Sequence, residues 1–254
     1  MTRGARPGAP GQVPLAVLSG LGAYFAVATH DPHAAITAPW RPLDELTGSA
    51  PVVRERIAAV RSALAAAAGR GPHAVEFRVA ASVTQLGIAA RLISPALGLA
   101  VVSGAVLRVA AAWWQPALSG AFPLSLPAGS ALRPGTGPAD EDALAAALGG
   151  HVVDGPVRAV TDVVAAMSVP AAVLWGNVAS AVNGATSMLA TTRPDLAVRA
   201  HAVSAALLRR PPLAGTYTGA PTAGFRRRSC CLIYRVSSAS RPALCGDCIL
   251  LGRG

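Results

Sequence analysis

The sequence predicts a mainly α fold, a helical body closed by a small C-terminal cysteine-rich hairpin. Three observations lead there. Prolines recur at the starts of apolar, alanine-rich runs, where a helix tolerates them because its first N–H groups have no intrahelical acceptor. No run of β-branched residues alternates with polar ones over several strands. All four cysteines fall in the last 25 residues, after 229 residues without a thiol.

Composition narrows the function. Of 254 residues 52% are hydrophobic, 4% aromatic and 13% charged, so the core must be built from small side chains on closely packed helices. All 22 basic residues are arginine, and the net charge of +10 favours an anionic partner. The arginines are scattered and not interleaved with aromatics, so nucleic acid is not expected to be that partner.

In chain order, residues 1–13 read as a disordered leader, polar, basic and rich in Gly and Pro. The apolar run Val13–Ala28 contains Ser19, Gly20 and Gly22 and shows no small-x-small site before His30; it reads as a buried first helix rather than a signal peptide. Pro51–Ala68 starts on proline, stops at Gly69 and sets Ile57, Val60 and Leu64 along one face. Val75–Ile93 and Pro95–Ala112 read as two helices divided at the proline. Pro138 and the acids Asp140, Glu141 and Asp142 open another helix, which Gly149-Gly150 should end. Pro156–Ser168, Pro170–Ala190 and Asp195–Arg210 complete the body. Val163–Thr192 carries no charge and is long enough to span a bilayer, but Pro170, Gly176, Asn177, Asn183 and Gly184 favour a buried core helix.

Pro116–Pro138 reads as a loop and Pro211–Gly224 as a linker, which divides the chain into the leader, a body over 14–215 and a C-terminal segment over 216–254. In that segment Leu232–Val236 is strand-like, Ser237–Pro242 is a turn, and Ile249-Leu250-Leu251 pairs back or packs on the body.

The tail carries Cys230-Cys231 and Cys245-Gly246-Asp247-Cys248. Four thiolates at one end of a chain are the ligand set of a tetrahedral sulfur site, zinc or iron–sulfur, and the residues alone leave the two equally open. Disulfides fit poorly, because adjacent cysteines would each need a different partner within one short hairpin. Between the knuckle cysteines, Gly246 permits a tight backbone and Asp247 suits capping a turn.

The segments Phe225-Arg226-Arg227-Arg228-Ser229-Cys230-Cys231-Leu232-Ile233-Tyr234-Arg235-Val236 and Leu244-Cys245-Gly246-Asp247-Cys248-Ile249-Leu250 resemble the C-terminus of FhuF-type ferric siderophore reductases. In the body, Arg91-Leu92-Ile93-Ser94-Pro95 and Leu174-Trp175-Gly176-Asn177-Val178-Ala179-Ser180 are similar to segments of that family, more loosely. The resemblance implies a 2Fe-2S cluster on Cys230, Cys231, Cys245 and Cys248, and one-electron reduction of a ferric siderophore that releases ferrous iron. It implies a cytoplasmic oxidoreductase served by an external electron donor, with peripheral membrane association left open. The chain departs from the family pattern in the 13 residues between Cys231 and Cys245, a longer spacing whose excess falls in Ser237–Pro242.

The neighbouring residues agree with such a centre. A 2Fe-2S cluster on four thiolates carries a charge of about −2 oxidised and −3 reduced. Arg226, Arg227 and Arg228, with Arg235 and Arg241, can offset it or form an ordinary solvated basic run. Trp175 and Asn177 interrupt an apolar helix; the asparagine lines a chelate pocket or satisfies a neighbouring helix end. Trp113-Trp114, at the end of a helix, fits packing or loop anchoring. His30-Asp31-Pro32-His33 reads as a turn more than a metal site. Gly20-Leu21-Gly22 lacks the third glycine and the preceding strand of a dinucleotide loop, so no bound nicotinamide or flavin is expected. Two rival readings stand beside the reductase: a 2Fe-2S electron carrier or redox sensor without a chelate site, and a zinc-stapled helical binding module.

Overall fold

A computed structural model describes residues 14–118, 121–133, 140–221, 224–236 and 244–251. The expected leader over 1–13, the turn Ser237–Pro242 with Arg241, and Pro138 lie outside them. The description is of a mainly α chain with seven α-helices, α1 to α7, and short strands that flank them.

The first apolar run is not an α-helix. Leu15–Leu21 winds as a 3-10 helix with Leu15, Leu18 and Leu21 buried, a spacing of three that suits three residues per turn. The chain then forms β1 (Ala28–His30), β2 (Arg41–Pro42), α1 (Asp44–Gly48) and α2 (Ala50–Ala67), the last with the expected proline in its first turn. His30-Asp31-Pro32-His33 turns as expected, His33 N–H donating to Asp31 Oδ1 at 2.8 Å.

Helix α3 (Phe77–Ser103) corrects the sequence reading: Pro95 does not divide it. Proline in a helix interior costs about 3 kcal/mol. Every residue from Arg91 to Val101 is buried, so packing on all sides outweighs that cost and keeps the helix running. Gly104, left-handed at φ 60°, ends α3 by donating its N–H to Ala100 O at 3.0 Å. At Gly98 an added Cβ would lie 2.7 Å from Phe25 Cδ1, so the glycine lets the N-terminal segment lie directly on α3.

The helix expected to run to Ala112, with Trp113-Trp114 at its end, stops at Ser103; β3 (Val106–Leu107) and β4 (Trp113–Trp114) follow, and the expected loop holds β5 (Leu124–Pro127) and β6 (Ala131–Leu132). The larger sheet has the order β1-β5-β4-β2, parallel between β1 and β5 and antiparallel elsewhere; β3 pairs with β6. Strands of two to four residues are too short for a period-two pattern to register. The tryptophans are therefore strand residues: Trp114 is buried with its Nε1 donating to Pro42 O at 3.1 Å, and Trp113 stacks on His30 at 3.6 Å.

Helix α4 (Glu141–Leu148) is capped by Asp140, whose carboxylate accepts the Ala143 N–H at 2.6 Å. Gly149-Gly150 does not stop it. A wide-turned stretch continues to Val157 and breaks at Gly155, just before Pro156, where φ −93° and ψ −117° leave the helical region. Then come α5 (Arg158–Ala165), α6 (Ala171–Thr192) and α7 (Ala197–Leu208). Helices α3 and α6 make the main pairing of the body, and one large core joins them to α4, α7 and the sheet. Helix α3 is long and apolar enough to cross a bilayer, but most of it is buried inside the protein.

The expected linker Pro211–Gly224 is packed where it is described. Leu213 is in the main core, and β7 (Tyr217–Thr218) pairs with β8 (Arg226–Arg227) in an antiparallel hairpin. Phe225 is buried and stacks on Tyr217 at 5.2 Å. The hairpin expected in the cysteine segment thus lies just ahead of the cysteines.

Arg91 holds the sheet side to α3. It is 2% exposed and donates from Nε to Phe122 O at 2.7 Å, from Nη1 to Tyr24 O at 2.8 Å and from Nη2 to Ala26 O at 2.6 Å. Burial pulls its pKa down to about 10, which leaves it charged at neutral pH. Replacing Arg91 by Met leaves three carbonyls without their donor, each worth about 1–3 kcal/mol. Urea denaturation of the variant is expected to show a loss of about 3–5 kcal/mol. A loss under about 1 kcal/mol would mean that water takes over the carbonyls.

Candidate metal centre

The hairpin delivers the cysteines onto α6. Ser229 Oγ donates to Ala172 O at 2.8 Å, and the segment crosses the helix at Gly176, where an added Cβ would overlap Ser229 Oγ. Leu232, at φ 70°, then turns the chain back, and its N–H points to Cys230 Sγ at 3.3 Å. Ile233–Val236 is a 3-10 helix rather than the expected strand. An extended strand would carry the backbone away from the sulfurs, whereas this turn keeps an N–H on Cys230. Leu232 and Val236 pack on Ala65, Val75 and Val79, beside the start of α3.

The second pair is held by two consecutive turns. Cys248 N–H donates to Cys245 O at 3.0 Å and Leu251 N–H to Cys248 O at 3.1 Å, while Leu250 N–H points to Cys248 Sγ at 3.4 Å. Ile249-Leu250-Leu251 is therefore a turn. Asp247 does not cap its own loop with its side chain. Its carboxylate accepts Ser180 Oγ at 2.6 Å and Asn183 Nδ2 at 3.3 Å, and its carbonyl accepts the Arg227 N–H at 3.1 Å. It latches the Cys-x-x-Cys turn to α6 and to β8.

Arg227 joins everything. It is 1% exposed; Nη1 donates to Asn177 Oδ1 at 2.8 Å and Nη2 to Cys245 Sγ at 2.7 Å. The Asn177 amide donates onward to Ser82 O and Ser82 Oγ at 3.0 Å and to Gln85 Oε1 at 3.1 Å. Ser82 Oγ donates to Cys231 O at 3.0 Å, and Gln85 Nε2 to Thr161 Oγ1 at 3.0 Å. A buried polar network thus runs from α5 through α3 and α6 into the backbone of one cysteine and the sulfur of another. Arg226 and Arg228 stay at the rim, donating to Gly246 O at 3.2 Å and Tyr217 O at 3.1 Å. Arg235 pairs with Glu76 at 2.9 Å.

The sulfurs of Cys231 and Cys245 are 3.7 Å apart. Cys230 and Cys248 lie within electrostatic reach of this pair and of each other. Among the described residues no three metal-donor side chains already converge on one point. The close pair shares a proton: the hydrogen bond from Cys245, helped by the Arg227 guanidinium, pulls the Cys231 thiol down to about 5, and the same bond pushes Cys245 up. Burial raises Cys230. Burial also opposes the charge of Arg227, but the two sulfurs outweigh it and hold the guanidinium above its ordinary pKa.

The donor set fits a four-thiolate metal centre on three counts. It is all sulfur. Two thiolates on one tetrahedral ion at about 2.3 Å sit about 3.8 Å apart, close to the separation of the near pair. Arg227 Nε is buried with no acceptor among the described residues, a spare donor beside a site that gathers negative charge.

Trp175 takes no part in this geometry. It lies about 200° around α6 from Asn177, packs on the core and sits under Arg158 at 5.1 Å. Sequence reasoning missed Ser82, Gln85, Thr161, Ser180 and Asn183. The available signal was the spacing of Asn177, Ser180 and Asn183, three polar side chains at intervals of three along one side of an uncharged helix. In comparison with known proteins, no family model, no curated protein and no solved structure matches the chain.

Asn177→Ala removes the partner of Arg227, Ser82 and Gln85 together. The expected result is a loss of about 2–4 kcal/mol and faster tryptic cleavage at Arg226, Arg227 and Arg228, read by urea denaturation and by mass spectrometry of the digest. Wild-type resistance at those bonds would show that the tail is held without the network.

Proposed function

We propose that the chain is a ferric siderophore reductase that holds a 2Fe-2S cluster on Cys230, Cys231, Cys245 and Cys248 and gives one electron to a ferric chelate. The observation that carries this reading is the thiol pair of Cys231 and Cys245 at 3.7 Å with the buried Arg227 donating to one of its sulfurs. A bound cluster of this type supplies one electron at a time. The substrate needs no more: hydroxamate or catecholate oxygens hold hard ferric iron tightly and ferrous iron far less so, and one electron frees the metal without breaking the chelator.

The chain's own residues set the conditions. Arg227 places a desolvated positive charge against the sulfurs, which favours the more negative, reduced state. Asn177 fixes the guanidinium, and Ser82 fixes the Cys231 carbonyl. Asp247, through Ser180, fixes the second pair. Cys230 and Cys245 are half-buried while Cys231 and Cys248 are buried, so the centre has one side near solvent, where a chelate or an external donor can approach. The rim arginines suit an anionic chelate or an acidic donor at that side.

The purified protein is expected to be brown, with iron and acid-labile sulfide in equal amounts, and to bleach with dithionite. Mixed without oxygen with a ferric hydroxamate and a ferrous trap, the reduced protein is expected to regain its colour as the trap develops. Failure to reoxidise would remove the reductase assignment. A colourless protein carrying zinc would replace it with the zinc-stapled module.

Two substitutions refine the test. Cys231→Ser is expected to lose the cluster; a full complement of iron and sulfide would remove Cys231 from the ligand set. Arg227→Gln is expected to lower the reduction potential, measured by dye-mediated titration, because a positive charge next to the sulfurs is gone.

A further inference from the structure

Two cavities of about 320 and 310 Å³ flank α3 and share Tyr24, Val83 and Gly87. The first lies between α2 and α3, walled by Val60, Leu64 and Phe122; the second lies between α3 and α6, walled by Leu86, Ala181 and Met188. They adjoin over Gly87. An added Cβ at this residue meets nothing within 4 Å, so neither a close approach nor a turn asks for glycine here, and what its missing side chain leaves is open space. Glycine inside a helix weakens it relative to alanine, yet here it keeps a groove clear across the middle of α3.

The polar groups of the groove are few. Among the described residues Arg56 is its single charged side chain, and none of them brings a carboxylate to either cavity. The guanidinium is held between the rings of Trp114 at 5.3 Å and Phe122 at 4.7 Å, and Nη2 donates to Ala117 O at 3.3 Å. Its Nη1 is sealed from water and has no acceptor. Thr84, 4% exposed in the same wall, also has a hydroxyl without a partner. Both atoms are closed off from the cavity as well as from water, so what the groove offers a ligand is the charge of Arg56, which has no carboxylate partner among the described residues.

An apolar trough with one cation at one end suits a ligand with an apolar body and an anionic oxygen head. We propose that the groove binds an amphipathic monocarboxylate, its chain lying across Gly87 and its carboxylate lying against Arg56. The other end reaches the cysteine tail, because Ser180 lines the second cavity and donates to Asp247. The proposal stands on this groove alone and is independent of the metal the cysteines hold.

The test is fluorescence titration of the purified full-length protein with cis-parinaric acid, with dodecanoate and dodecanol as competitors. Saturable binding is expected, with dodecanoate displacing the probe about tenfold better than the uncharged dodecanol. Gly87→Leu fills the groove without meeting a neighbour at its Cβ and is expected to weaken binding by about tenfold or more. Met188→Trp, a half-exposed residue at the other cavity, reads the same obstruction should Gly87→Leu fail to fold. Arg56→Gln is expected to weaken the acid by about tenfold while leaving dodecanol unchanged. Unsaturable binding, or wild-type affinity in both plugged variants, overturns the site. Equal displacement by acid and alcohol, or no effect of Arg56→Gln, overturns the carboxylate.

Discussion

The buried guanidinium of Arg227 is the constraint on which the cysteine end of this protein depends. A desolvated cation is expensive to bury and is tolerated only with good partners. Its partners come from two directions: Asn177 from the helical body and Cys245 from the tail. Neither suffices alone. Without the tail the charge would face a neutral amide; without the body the sulfurs would face a mobile arginine. Body and tail are therefore energetically one object, although they read in the sequence as a domain and an appendix.

Helix α3 performs the same service at two levels. At its N-terminal half, Ser82 and Gln85 take up the amide of Asn177 and place the Cys231 carbonyl. One and a half turns further on, Arg91 gathers three carbonyls from the sheet side. Two arginines, one reaching into the protein from the hairpin and one carried by the helix, are buried without a carboxylate. Carbonyls, an amide and sulfur satisfy them instead, which suits a chain with 12 acidic residues against 22 basic ones.

Much of this was legible in the sequence. The helices expected from Pro51, Pro138, Pro170 and Asp195 follow from first-turn chemistry and apolar spacing, and the structure starts them within a few residues of those positions. Of the readings that failed, three show the physical reason most clearly. Pro95 signals a boundary only where the helix is free to stop, and here both sides are buried. Gly149-Gly150 kept helical angles because the break fell at Gly155, before Pro156. The short strands around Trp113 and Leu124 are defined by tertiary pairing and left no periodic trace. At the candidate site the four cysteines and Arg227 were visible as residue types. The depth of Arg227, the latch at Asp247 and the support from Ser82 and Gln85 depend on contacts across up to 149 residues, which spacing along the chain cannot supply.

Those long contacts set an order of events. Ser82, Asn177 and Ser180 emerge during synthesis well before any thiol does, and each binds a part of the tail that does not yet exist. The helices can close first and present a half-built cradle. The cysteines then arrive together at a surface that already holds a donor for the Cys231 carbonyl and an acceptor for the cation beside them. On the proposed reading metal loading is the last act of maturation, and a nascent chain that stalls before Phe225 has no thiol with which to capture a metal prematurely.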